Sequence, residues 1–126
     1  MVVLDTNTLI LLFSQKNHRQ AALVKDLVES KVLLYIPDVV LAETDYILGK
    51  KYYRTRQEIR KVFQFLLERP NMRLNTYISQ AAHIYQTTTL EMADCLVIAQ
   101  AQAQSASLAT FDKKMLEVSK VKPYFA

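Results

Sequence analysis

Four acidic residues stand far apart in the chain, each in a setting where a carboxylate can do chemistry. They are Asp5 in Val-Val-Leu-Asp-Thr-Asn, Glu43 in Leu-Ala-Glu-Thr-Asp-Tyr, Asp94 in Met-Ala-Asp-Cys-Leu and Asp112 in Ala-Thr-Phe-Asp-Lys-Lys. Asp5 and Asp112 follow short apolar runs that read as strands. An isolated aspartate in that position is most often a helix cap. Glu43 and Asp94 are more telling, because each interrupts an apolar helix face. Val39, Val40, Tyr46 and Ile47 flank Glu43 at three and four residues, and Leu90, Val97 and Ile98 flank Asp94. Buried carboxylates are rare unless they face a cation or bind a metal. Two of them about 5 Å apart at an effective dielectric near 20 repel by roughly 3 kcal/mol. Oxygen-only ligands favour Mg²⁺ or Mn²⁺, and the lack of a His/Cys cluster argues against zinc. The pattern therefore points to a metal-dependent hydrolase. Asp45, beside Leu41 and Leu48, is not excluded by periodicity as an alternative to Glu43. Glu91 is either an accessory ligand or a favourable charge in a first helical turn. His18 and His83 read as isolated surface or partly buried helix residues.

The elements that must position these acids follow from pattern and punctuation. Residues 2–5 read as a buried strand, followed by a helix capped by Thr6 or Asn7 and running to about Phe13. Helical spacing at Ala22, Val24, Leu27 and Val28 predicts a helix over 18–30. Val32–Ile36 is a second strand, ended by Pro37. The next helix starts at Pro37 and Asp38 and runs to about Gly49, the only glycine. A helix over 55–69 turns Ile59, Val62, Phe63, Leu66 and Leu67 inward, and Pro70 stops it. Arg73–Asn75 reads as a short strand, 77–87 and 91–104 as helices, with the Ala/Gln run at 99–104 a helix surface. Ser107–Phe111 reads as a strand, with a short helix from Asp112 and a last edge strand near Val121. Strand and helix alternate, which predicts a parallel sheet with helices on both faces. In such sheets ligands bind beyond the carboxyl ends of the strands, where Asp5 and Asp112 fall.

The chain has 126 residues, and one domain over 1–126 is the natural expectation. No apolar run reaches the roughly 20 residues of a membrane span. The start lacks a basic segment and a cleavage site, so a cytoplasmic location is expected. The single cysteine, Cys95, leaves no internal disulfide and agrees with a reducing compartment. Sixteen basic residues face twelve acidic ones. With four acids sequestered, 16 basic residues face 8 acidic ones, a net +8 that attracts polyanions such as nucleic acid.

In this order the acidic segments resemble the motifs of the PIN domain, and within it the small VapC-type toxin ribonucleases of bacterial toxin–antitoxin pairs. Val-Leu-Asp5-Thr-Asn resembles the family's opening motif. Ile-Pro-Asp-Val-Val-Leu-Ala-Glu43 resembles the second, which favours Glu43 over Asp45. Ala-Asp94-Cys-Leu-Val-Ile-Ala resembles the third and Leu-Ala-Thr-Phe-Asp112 the fourth. The match covers nearly the whole chain. Two departures stand out: Cys95 replaces a frequent alanine, and Thr87–Glu91 lacks the glycine common before the third motif. The resemblance implies a PIN-like α/β fold with a small parallel sheet between helices and a Mg²⁺/Mn²⁺ site. It further implies RNA phosphodiester cleavage, a homodimer and a cognate antitoxin that blocks the pocket.

On this reading Asp5, Glu43, Asp94 and Asp112 hold one or two ions, and water attacks in line with no covalent enzyme intermediate. Thr6, Asn7 and Thr110 are candidates for orienting a carboxylate or phosphate, or else serve as caps and strand hydrogen bonders. Lys50, Lys51, Arg54 and Arg56, interleaved with Tyr52 and Tyr53, suit single-stranded RNA; the alternative is a solvated helix face. Apolar residues on the helices at 18–30 and 55–69 are candidate dimer contacts. Three rivals remain: a catalytically silent PIN-like RNA-binding or scaffold module, a flavodoxin-like phosphoacceptor domain and a DNA-specific nuclease.

Overall fold

The computed structural model describes residues 1–14 and 17–125. The chain divides into two compact units, Met1–Asn75 and Thr76–Ala126.

The first unit is built on a three-stranded parallel sheet of β1 (Val2–Val3), β2 (Leu34–Tyr35) and β3 (Met72–Arg73), in the order β1-β2-β3. Val2 pairs with Leu34 and Leu34 with Met72. The strands are short, yet the hydrogen bonding runs one residue further. Leu4 donates its amide to the Tyr35 carbonyl at 3.0 Å, and Ile36 donates to Arg73 at 3.1 Å. Leu4, Leu34 and Ile36 are buried, but Val2 and Val3 are exposed, so β1 is not the buried strand that its apolar run predicts.

Four helices complete this unit: α1 (Thr6–Ser14), α2 (His18–Val28), α3 (Asp38–Lys50) and α4 (Arg56–Glu68). Local signals start each of them. Asn17 caps α2 by accepting from the Gln20 amide. Pro37 precedes α3 as its cap residue instead of opening its first turn. Thr55 and Glu58 form a reciprocal capping box on α4, satisfying two amides that the helix leaves orphaned. The cap of α1 differs from expectation. Neither Thr6 nor Asn7 serves, because both lie inside the helix, and Asp5 accepts from the Thr8 amide instead. Ile59, Phe63 and Leu66 of α4 and Val24 and Val28 of α2 are buried, whereas Ala22 is exposed.

Gly49 does not end α3, which continues to Lys50. A Cβ at Gly49 would meet Ile59 Cδ1 at an ordinary 3.7 Å. The left-handed conformation that usually takes a glycine falls to Tyr53, at φ 53°. The turn is closed by Tyr52 donating to Ile47 (3.3 Å) and Arg54 to Leu48 (2.9 Å). A side chain with a Cβ in this region costs about 1–2 kcal/mol, partly offset by the greater freedom of an unfolded glycine. Tyr53 is 85% exposed, so little packing opposes its removal. Tyr53→Gly is therefore expected to stabilise the protein by about 1 kcal/mol. A thermal midpoint raised by roughly 4 °C would show it; a lowered midpoint would contradict it.

The second unit is helical: α5 (Ile78–Thr87) packs on α6 (Met92–Ala103), which packs on α7 (Lys113–Ser119). The Gln102 side chain donates to the Ser119 carbonyl at 2.9 Å and ties α6 to α7. The 99–104 run is not all surface, since Ala99 and Ala101 are buried. The expected strand at Ser107–Phe111 is reduced to one parallel bridge, Leu108 to Pro123. Leu108 donates to Lys122 and Tyr124 donates to Leu108, both at 2.9 Å. Pro123 has no amide to donate and Phe111 is 83% exposed, so neither side extends the pairing. The edge strand expected near Val121 is likewise confined to that bridge. Among the described residues no helix is long and apolar enough to cross a membrane.

Candidate active site

Asp5 leaves the carboxyl end of β1 just beyond buried Leu4. Its Oδ1 accepts from the Thr8 amide at 2.9 Å. The Thr8 hydroxyl and then its amide stabilise the charged form and hold the Asp5 carboxyl below its ordinary pKa, with a small opposing effect of burial. Cap and carboxylate are thus one residue. The interaction engages Oδ1, and the other oxygen of the group lies outside this bond.

Glu43 projects from the second turn of α3. Periodicity suggested burial, but Glu43 is exposed, as are Val39 (61%) and Tyr46 (59%) on the same helix face. The buried face of α3 is instead that of Val40, Leu41, Thr44 and Leu48. α1 packs against α3, and the Thr6 hydroxyl donates a 2.7 Å hydrogen bond to Glu43 Oε1. A residue from the first turn of α1 thereby fixes the carboxylate on α3. Asn7 is exposed on the same turn as Thr6, and Asp45 is half-buried two residues beyond Glu43.

Asp94 sits in the first turn of α6, half-buried, with Val97 at 48% exposure one turn on. Burial raises its pKa, and the charges of Asp112 and Glu91 raise it further. Glu91 is the residue preceding α6, with no side-chain cap bond to the helix. Asp112 caps α7, its Oδ1 accepting from Lys114 (2.9 Å) and Met115 (3.1 Å). Thr110 Oγ1 accepts from the Asp112 amide at 3.0 Å and shapes the turn that delivers this aspartate. Lys114 Nζ hydrogen-bonds Thr89 Oγ1, joining the start of α7 to the segment before Glu91.

The acids thus form two partial sets: Asp5 and Glu43, linked through α1, in the first unit, and Glu91, Asp94 and Asp112 in the second. Among the described residues, no group of three or more His, Cys, Asp or Glu is placed to hold a metal ion. The donor chemistry itself fits a hard divalent cation. Every candidate ligand is an oxygen, and burial, then the charges of Asp112 and Glu91, disfavour the ionised form of Asp94, which a cation would favour. His18 and His83 are exposed, and Cys95 is fully buried beside Asp94.

Residues 2–121 match the PIN domain. The chain belongs to the PIN-domain family. The match spans all four acidic motifs, and with it the mixed α/β fold with a small parallel three-stranded sheet is that of a PIN domain. PIN domains are generally nucleases and usually use divalent metals, so hydrolysis of phosphodiester bonds is the chemistry this fold supports. A comparison with curated proteins found no match.

The basic segment of this PIN domain divides by engagement. Lys50 and Lys51 end α3 and are exposed. Arg54 donates to the Phe13 carbonyl at 3.3 Å and approaches Glu58 at 3.8 Å, so part of its capacity is spent within the fold. Arg56, in the first turn of α4, is half-buried. Sequence reasoning passed over two residues. Thr8 was legible as the third helical residue after an Asp cap. Tyr46, three residues from Glu43, reads from sequence as part of an apolar stripe, whereas the structure exposes it.

Proposed function

We propose that this PIN domain is a Mg²⁺- or Mn²⁺-dependent endoribonuclease acting as the toxin of a toxin–antitoxin pair. Asp5, Glu43, Asp94 and Asp112 are its metal-holding and catalytic residues, with Glu91 as an accessory ligand. On this proposal 1–126 works as one nuclease domain. The observation that carries it is the match of residues 2–121 to the PIN domain, which spans Asp5, Glu43, Asp94 and Asp112. The raised pKa of Asp94, from burial and then from Asp112 and Glu91, agrees with a site that a cation would relieve. Family membership supplies the nuclease context for that ion. A bound divalent cation supplies charge neutralisation at the scissile phosphate and makes water a better nucleophile near neutral pH.

The chain's own residues do the positioning. Thr6 keeps Glu43 oriented through its 2.7 Å hydrogen bond. Thr110 keeps Asp112 at its cap position, and Asn7 offers an amide to a phosphate oxygen. Lys50 and Lys51, with what remains of Arg54 and Arg56, neutralise phosphates of the RNA strand. The protein works in the cytoplasm as a homodimer, with Leu23 (64% exposed) and Phe65 (37%) as apolar contact candidates. Its antitoxin silences it by keeping RNA away from the acidic residues.

A second reading is a silent PIN-like module that binds RNA without cutting it. The lack of a ready-made three-acid group among the described residues favours it. The deciding experiment incubates labelled single-stranded RNA and DNA with the protein in Mn²⁺, in Mg²⁺ and in excess EDTA. RNA cut only with metal supports the nuclease; binding without cleavage in any condition leaves the silent module, and cleavage of DNA alone reassigns the substrate.

A further inference from the structure

The α3 face that carries Glu43 continues into a cavity of about 380 Å³ lined by Ala42, Glu43, Tyr46, Ile47 and Lys51. That volume lies at the lower end of the roughly 300–1,000 Å³ typical of small-ligand sites. Its lining has three chemically distinct parts. Glu43 contributes a carboxylate held by Thr6. Tyr46 contributes a ring that is 59% exposed one turn further along. Lys51 contributes an exposed cation just past the end of the helix. Eight residues separate Glu43 from Lys51, about 12 Å along a helix axis, and the ring stands between them.

A carboxylate in the same cavity disfavours a simple anion as occupant. An apolar peptide would leave Lys51 and Glu43 to be desolvated without partners. A nucleotide offers a partner to all three parts: a planar base for the ring, a phosphate for the lysine, and a ribose hydroxyl that can donate to the carboxylate. Lys50 next to Lys51 and the chain's net charge of +4 favour an anionic strand over a neutral protein segment.

We infer that this cavity is a base-binding subsite for single-stranded RNA, in which Tyr46 stacks a nucleobase and Lys51 holds the phosphate beside it. The inference rests on the nuclease reading for its substrate class and adds a positioning pair on α3. A base stacked on Tyr46 must lie outside a duplex, so the subsite selects unpaired over double-stranded RNA.

The test is fluorescence anisotropy of a labelled single-stranded RNA 12-mer with the full chain, in EDTA so that nothing is cut. Tyr46→Ala is expected to weaken binding about tenfold, while Tyr46→Phe stays within about twofold of wild type. Lys51→Gln is expected to weaken binding and lower the salt slope by about one. All three variants should melt like wild type, since these side chains are exposed. In parallel, Tyr46→Ala should raise KM for cleavage and leave kcat near wild type. Equal RNA affinity of wild type and Tyr46→Ala overturns the subsite. So does a Tyr46→Ala variant that turns a dimer into a monomer with RNA affinity unchanged, because the face would then belong to a second copy. Wild type that binds RNA through Tyr46 but never cuts it sinks the nuclease reading and leaves the subsite standing. Wild type that cuts RNA with KM indifferent to Tyr46 does the reverse, and wild type that binds no RNA ends both.

Discussion

Asp94→Asn should abolish RNA cleavage and, at neutral pH, make the protein more stable. The first effect follows from the role proposed for Asp94 as a metal-holding oxygen. Electrostatic stabilisation by a metal is worth several kcal/mol, and each 1.4 kcal/mol is about tenfold, so the loss should be about 100-fold or more in kcat. The second follows from burial and from the charges of Asp112 and Glu91, which raise the Asp94 pKa. A carboxyl whose folded pKa is raised destabilises the fold when charged. Its penalty is absent below the unfolded value near 3.8 and sets in as pH rises through the folded pKa. Asparagine removes that penalty, so the gain in thermal midpoint should appear at pH 7 and vanish near pH 3. Mg²⁺ should likewise raise the midpoint of wild type more than that of the variant. Wild-type turnover in Asp94→Asn, or a midpoint gain that is the same at both pH values, would refute the assignment.

Asp5→Asn should also silence the protein, by about 100-fold or more, while lowering its stability at pH 7 only by the small contribution of the ionised carboxylate. Asp5 has two duties: a proposed ligand, and the cap of α1 through Oδ1 and the Thr8 amide. Asparagine is as good a cap as aspartate but carries no charge. Asp5→Ala removes both functions and should cost a further 0.5–2 kcal/mol, on the order of a lost N-cap. The lowered pKa of Asp5 gives the opposite pH sign to Asp94. Its contribution is present above the unfolded value near 3.8 and is lost as pH falls through the folded pKa. The measurements are RNA cleavage and thermal melts of both variants at pH 7. An active Asp5→Asn protein would remove Asp5 from the site, and an alanine variant as stable as wild type would remove the cap.

The helices were legible because they carry their own punctuation. Pro70 stops α4 within two residues of its observed end at Glu68, and α2 and α4 begin within a residue of the expected starts, where the structure shows Asn17 and Thr55 as caps. The strands were legible in place but not in length. Apolar runs such as 32–36 announce a strand, while the ladder that defines it depends on partners far along the chain. Ser107–Phe111 shows this best: the run is present, but its partner offers Pro123, and only one bridge forms. Periodicity misled at Glu43. It reports which residues share a helix face, not whether that face meets the core. Val39 and Tyr46 share Glu43's face and look out to solvent, so an apolar neighbourhood did not mean a buried carboxylate. Asp94, half-buried beside two other acids, came closer to expectation. The caps formed by Asp5 and Asp112 do not decide whether either also binds metal, since a cap and a proposed ligand have the same sequence signature.

Cys95 is the chain's sole thiol and is wholly enclosed, its Sγ 3.8 Å from the Leu90 carbonyl. Reagents such as maleimides or hydrogen peroxide act on accessible thiolates, so the native protein should pass through them unmodified. For labelling purposes the molecule behaves as though it had no cysteine at all. A single cysteine installed at a solvent-facing position, Tyr53 for example, would then carry one dye at one known place without any background to engineer away.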